Sequence, residues 1–300
     1  MTADRPVLGI SLMFGFCLLV PLGDSIAKIL GDTIPLGQLL LVRYGVQLAM
    51  LLPLLALPDR SLHMTARVFW LMCLRTVIHM IGAGAMFAAL RFMPLADAVA
   101  IAFVMPFIML LLGKYVLSEE VGPHRLWACV VGFIGTLLVI QPNFAAVGLP
   151  ALLPLLVAFA FAFFMLVTRQ IAKEIDAISL QVSNGIVGTF IIAIILWLFR
   201  DAGQQPLEIV TPTNHEIWLL LGLGVLGTTA HLLMTWSLRY APSATLAPMQ
   251  YLEIPIATFI GWLIFRDLPN TLASLGILIT VCSGLYVIYR EQLTMRQQAA

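Results

Sequence analysis

Ten apolar runs, each closed by a charge, a proline or a glycine, make up most of the chain. They cover roughly residues 8–30, 35–57, 68–90, 95–117, 124–141, 149–168, 178–199, 216–238, 243–265 and 271–289. A helix crosses the hydrocarbon core of a bilayer with about 20 mostly apolar residues, and each run is close to that length. The polar stretches between them are short. The longest, near residues 200–215, has too few residues for a folded domain. The pattern predicts an all-α membrane protein with ten transmembrane helices.

Composition agrees with the pattern. Of 300 residues, 61% are hydrophobic and only 10% charged, with a mean hydropathy of +1.01. A soluble domain carries about 25% charged residues, so these few charges could not cover a globular surface. The partner is the lipid bilayer. The net charge of +1 leaves no basic stripe for nucleic acid. Cys17, Cys73, Cys129 and Cys282 all sit in apolar runs without ligand spacing and read as small buried hydrophobes. No metal or cofactor is expected. The first run begins near Val7 and reads as an uncleaved anchor.

Lys and Arg positions set the expected orientation. With the N-terminus inside, one face carries Arg5, Arg60, Arg67, Lys114, Arg125, Arg169, Lys173, Arg239, Arg290 and Arg296. The other carries Arg91, Arg200 and Arg266, with Lys28 near the end of the first run. Both termini are therefore expected to be cytoplasmic.

The chain also writes one passage twice. LRFMPLADAVAIAFVMPF begins at Leu90 and LRYAPSATLAPMQYLEIP at Leu238. Each opens the fourth run of a set of five. GKYVLSEEVGPHRL and GWLIFRDLPNTLAS follow in parallel positions, and the tripeptide Ile-Ala-Lys ends both the first and the sixth run. The chain thus divides into two five-helix repeats, residues 1–142 and 143–300. An odd number of spans per repeat makes the second copy enter the membrane from the opposite side. Inverted repeats of this kind place a solute site near the midplane between the halves and work by alternating access.

On these passages, together with LWACVVGFIGTLLVIQP and LGILITVCSGLYVIYRE, the chain resembles the drug/metabolite transporter superfamily, with two EamA-like halves. The resemblance covers nearly the whole chain. It implies a bacterial inner (cytoplasmic) membrane and a secondary transporter. Members include exporters of amino acids and uptake carriers for riboflavin or S-adenosylmethionine. The Glu-Pro that is usual in the ninth span reads here as Glu253-Ile254-Pro255.

An ionisable side chain inside a span is costly and usually faces the bundle interior or water. Glu253 is the first candidate for binding solute or a proton. It lies near the centre of the ninth run, with Gln250 one turn earlier. Pro248 and Pro255 bracket both residues, and Pro106 breaks the fourth run. A proline inside a helix removes a backbone hydrogen bond and kinks it. His79, Asp24, Arg75 and His231 are further candidates, as are the aromatics Trp236 and Tyr251. Asp24 and Lys28 lie four apart and can neutralise each other. Arg75 keeps its charge and needs water or an acid, with Asp97 and Asp24 as partners. Asp97 suits the first turn of its helix electrostatically. Arg43 also falls within a span. Phe103, Phe107, Phe163 and Trp262 complete the aromatic set.

Other classes lack their motifs. There is no serine- or zinc-protease signature; HEIWL at His215 fails at its fifth position. There is no channel filter loop and no ring of like charge. Mixed charge beside aromatics fits a small polar organic metabolite moved by alternating access. An amino acid or similar solute is the first expectation. A vitamin or cofactor such as riboflavin or S-adenosylmethionine is the second. Protons as coupling ion and a homodimer are both compatible with the pattern. An inverted repeat has no intrinsic preference for import or export.

Overall fold

The computed structural model describes residues 5–56, 64–116, 123–200, 205–241 and 246–299. All regular structure in these residues is helical. In chain order the α-helices are α1 (Pro6–Leu30), α2 (Leu36–Leu51), α3 (Ala66–Ala89), α4 (Leu95–Ala102), α5 (Met105–Val116) and α6 (Pro123–Val147). They continue with α7 (Leu153–Ile171), α8 (Ala177–Leu198), α9 (Asn214–Tyr240), α10 (Glu253–Phe265) and α11 (Thr271–Ala299). Short 3₁₀ segments lie at Leu52–Ala56, Leu149–Leu152, Gln205–Leu207 and Ala247–Leu252.

Seven helical stretches are long and apolar enough to cross a membrane: Val7–Leu30, Leu36–Ala56, Ala66–Ala89, Leu126–Val147, Leu149–Ile171, Ala177–Leu198 and Asn214–Tyr240. Shorter apolar helices cover Leu95–Met109, Met249–Phe265 and Thr271–Tyr286, at the fourth, ninth and tenth predicted spans. The protein is a multi-pass membrane protein.

Local chemistry explains several boundaries. At the start of α8, the Asp176 side chain accepts from the backbone N–H groups of Ile178 and Ser179. Thr213 opens α9 with a capping box: its hydroxyl accepts from the Glu216 N–H, and the Glu216 carboxylate accepts from the Thr213 N–H. α10 stops at Arg266, which is left-handed at φ 60°. The fourth run is divided at Phe103–Val104, just ahead of Pro106. The ninth begins as a 3₁₀ segment holding Pro248 and becomes α-helical at Glu253, two residues before Pro255. Each proline lacks the N–H that would have closed a turn.

The helices pack chiefly as α1 on α9, α6 on α11, α3 on α7, α2 on α8 and α9, α5 on α7, α1 on α10 and α4 on α10. Exchanging α1–α6 for α7–α11 turns α1–α9 into α7–α3, α5–α7 into α10–α1 and α2–α9 into α8–α3, all of which are packed, and leaves α2–α8, α6–α11 and α4–α10 unchanged. Small residues permit the closest approach. A Cβ at Gly276 of α11 would collide with the Gly135 carbonyl of α6. The outer surface is apolar, with Trp70, Trp127, Trp197 and Trp218 exposed close to helix ends, where membrane–water interfaces favour tryptophan. Cys17 is buried and Cys73 half-buried, whereas Cys282 is exposed on α11, contrary to its reading as a buried hydrophobe. The side chain of Cys129 lies outside the described residues.

Candidate functional site

A cavity of about 740 Å³, counting the space at its mouth, lies between helices of both halves. The wall is largely apolar and aromatic, with Phe16 and Leu19 of α1, Met86 and Phe87 of α3, Phe103 between α4 and α5, and Phe161 of α7. Four polar side chains join it: Asp24 of α1, Arg43 of α2, His231 of α9 and Glu253 of α10.

Asp24 lies one turn beyond Pro21, a proline inside α1. It is 7% exposed, and its Oδ2 has no hydrogen-bond partner among the described residues. Glu253, also 7% exposed, sits where the ninth span changes from 3₁₀ to α-helix. Arg43 is 5% exposed, with Nη1 unpartnered. Its Nη2 lies 3.3 Å from His79 Nε2 and 3.3 Å from His231 Nδ1. Behind the wall, His79 stacks on Phe164 at 4.8 Å between ring centroids. Gln181 Nε2 donates to the His231 carbonyl and to Thr235 Oγ1, both at 2.9 Å. A second polar layer from α8 thereby fixes the His231 turn of α9.

The structure brings three of the expected site residues to the cavity: Glu253, Asp24 and His231. His79 stands one residue behind, in contact with His231 at 2.9 Å. The others do not line it. Arg75 is fully buried, and the acids expected as its partners are replaced by neutral groups. Its Nε donates to Thr168 Oγ1 at 2.7 Å and its Nη1 to Asn184 Oδ1 at 3.3 Å, while its guanidinium lies 4.3 Å from the Phe164 ring centroid. Gln250 turns its amide to the sulfur of Met165 at 3.1 Å. Tyr251 packs against Phe103 at 5.5 Å, and Trp236 against a cluster around Leu51, Ile178 and Val182.

Asp24 and Lys28 do not pair. Lys28 Nζ lies 3.3 Å from Asp267 Oδ2 and donates to the Met93 carbonyl at 3.2 Å. Its arm reaches the loop after α10, leaving Asp24 to the cavity. Asp97 does lie in the first turn of α4, and its Oδ2 accepts from Asn143 Nδ2 at 3.0 Å. Of the expected aromatics only Phe103 lines the cavity; Phe163 and Trp262 are exposed on the outer face. Arg43, Phe16, Phe87 and Phe161 were not singled out from sequence as site residues. The signal for Arg43 was its charge inside a span. The phenylalanines carry none.

A family match decides what such a cavity belongs to: the EamA-like transporter family matches residues 7–141 and again 148–290. The chain belongs to the EamA-like transporter family. A riboflavin transporter of Brucella anthropi is 28% identical to this EamA protein over 255 residues, covering 85% of this chain and 88% of the relative. An S-adenosylmethionine uptake transporter of Rickettsia prowazekii is 24% identical over 277 residues, covering 91% and 90%. The pseudopaline exporter CntI of Pseudomonas aeruginosa is 21% identical over 266 residues, covering 87% and 90%. A solved crystal structure matches with a TM-score of 0.68 at 15% identity, over 94% of this chain and 95% of the other, a likeness of fold. Family and relatives are transporters, not enzymes, and the EamA protein is a transporter of small solutes.

Proposed function

We propose that this EamA protein is an uptake carrier of the bacterial inner membrane for a vitamin or cofactor of the riboflavin or S-adenosylmethionine kind. It works by alternating access between two inverted five-helix repeats, residues 1–142 and 143–300, with ten spans and both termini cytoplasmic. The observation that carries the proposal is the cavity, whose phenylalanines surround Asp24, Arg43, His231 and Glu253. A planar heterocycle suits the aromatic wall, and its polar edge suits the four hydrophilic side chains. The names of the relatives favour this reading over an amino acid. The exchange symmetry of the helix pairs supports the two-repeat division, and the helix break beside Glu253 is the kind of discontinuity at which carriers bind solute.

Glu253 is the leading residue for solute or proton binding. Among the described residues its carboxylate finds no hydrogen-bonding or ion-pair partner, and a buried carboxylate must be hydrated, paired or protonated. The purified protein in liposomes provides the test. Saturable uptake of labelled riboflavin or S-adenosylmethionine, outcompeted by the unlabelled compound and not by amino acids, is the expected result. Competition by amino acids with no uptake of either cofactor would contradict it.

A further inference from the structure

Three buried side chains from three helices form one hydrogen-bonded chain beside the cavity. Tyr44 Oη of α2 lies 2.8 Å from His79 Nδ1 of α3. His79 Nε2 lies 2.9 Å from His231 Nε2 of α9. His231 Nδ1 lies 2.8 Å from the Gly227 carbonyl. The direction of the chain follows from its last link, by the usual assignment of tautomers from the network. A carbonyl only accepts, so His231 Nδ1 carries the hydrogen. One proton per ring then leaves a lone pair on His231 Nε2, and His79 Nε2–H donates to it. His79 Nδ1 is left with a lone pair in turn, and the Tyr44 hydroxyl donates there. The other tautomer of His79 would set two lone pairs against each other at 2.9 Å.

This order has a consequence for Arg43. Its Nη2 faces His79 Nε2 and His231 Nδ1 at 3.3 Å each, and both nitrogens carry hydrogens and cannot accept. Its Nη1 has no partner. Its Nε lies so close to Gly227 that a Cβ there would come within 3.0 Å. The Oδ2 of Asp24, on the same cavity, is unpartnered and does not fill the gap. A guanidinium can only donate, and a buried charge without an acceptor is costly. Resting on the carrier reading above, we infer that the Tyr44–His79–His231 chain denies Arg43 both imidazole acceptors, so that Arg43 is the donor that binds the solute and selects for a carboxylate or carbonyl oxygen. Tyr44 and His79 are positioning residues. The ring carbonyls of riboflavin and the carboxylate of S-adenosylmethionine both meet the requirement.

Two measurements test the inference separately. The first is nitrogen NMR of the full chain, labelled with ¹⁵N-histidine and held in bilayers, with the two signals assigned through His79→Gln and His231→Gln. The expected spectrum has His231 protonated at Nδ1 and His79 at Nε2; the reverse assignment for either ring overturns the chain. The second is uptake of riboflavin and of S-adenosylmethionine into liposomes. Arg43→Gln is expected to raise KM about ten- to hundredfold, the loss of a charge-assisted hydrogen bond, with Arg43→Lys recovering part of it. Tyr44→Phe is expected to raise KM a few-fold at unchanged maximal rate. Arg43→Gln protein that folds and shows wild-type KM overturns the role of Arg43. Uptake of neither probe by the wild type would overturn the solute reading on which that role rests, while the spectrum still decides the chain.

Discussion

Arg75 and Glu253 are both ionisable residues sealed inside the bundle, and their surroundings differ in kind. Arg75 is held by Thr168, Asn184 and the Phe164 ring away from the cavity. Arg75→Gln should therefore cost stability, about 1–3 kcal/mol from the polar groups left unpaired, with little change in KM. Thermal unfolding in detergent beside uptake kinetics would separate the two effects, and a raised KM at unchanged stability would contradict this placement. Glu253 lines the cavity, and Glu253→Gln keeps its size and removes its titration. If the residue carries a coupling proton, the variant should lose accumulation driven by a pH gradient and retain solute exchange. If it binds a cationic group of the solute, exchange fails too. Wild-type rates of both would make Glu253 structural. The set of buried ionisable residues was legible from sequence, because charge inside an apolar run stands out. Which of them share the cavity was not. Arg43 meets His79 and His231 only through the packing of α2 against α3 and α9, and Lys28 is drawn from Asp24 by Asp267, 239 positions along the chain.

At the scale of elements, the apolar runs predicted ten spans; seven of the helices are long and apolar enough to cross a membrane, and the fourth, ninth and tenth runs hold shorter apolar helices. Proline positions marked where the fourth and ninth would break, since a missing N–H is visible in the sequence itself. Less legible was how near each glycine stands to a neighbouring helix. Gly276 and Gly45 illustrate the difference. A side chain at Gly276 would meet the Gly135 carbonyl of α6, a backbone atom that cannot swing aside, whereas nothing lies within 4 Å of a Cβ at Gly45 in α2. Gly276→Val is expected to destabilise the protein by about 1–3 kcal/mol through overpacking. Gly45→Ala should stabilise it by about 0.5–1 kcal/mol, since alanine loses less backbone freedom in a helix. Melting curves of the two variants should move in opposite directions. A neutral Gly276→Val would mean that α6 and α11 do not approach as closely as described.

At the scale of the whole molecule, the repeated passages at Leu90 and Leu238 have a counterpart in the packing: α1 lies on α9 as α7 lies on α3. Odd-numbered repeats imply opposite insertion, which reporter fusions can read. Fusions after Gln205 and after Gln298 should report opposite sides of the membrane, the second cytoplasmic. The same side for both would remove the inverted repeat. Sequence could not choose the solute, because the cavity wall is assembled from residues that eight α-helices and the Phe103 break bring together. The central claim is that this EamA protein carries its solute by alternating access through that cavity. Counterflow tests it most directly. Liposomes holding the purified protein and loaded with unlabelled riboflavin or S-adenosylmethionine are diluted into a trace of the labelled compound. A carrier should accumulate label transiently above its equilibrium level, faster than empty liposomes do, and then release it. A monotonic approach to equilibrium at a rate indifferent to the internal load, for a compound that the protein does pass, would contradict the claim and point to a channel.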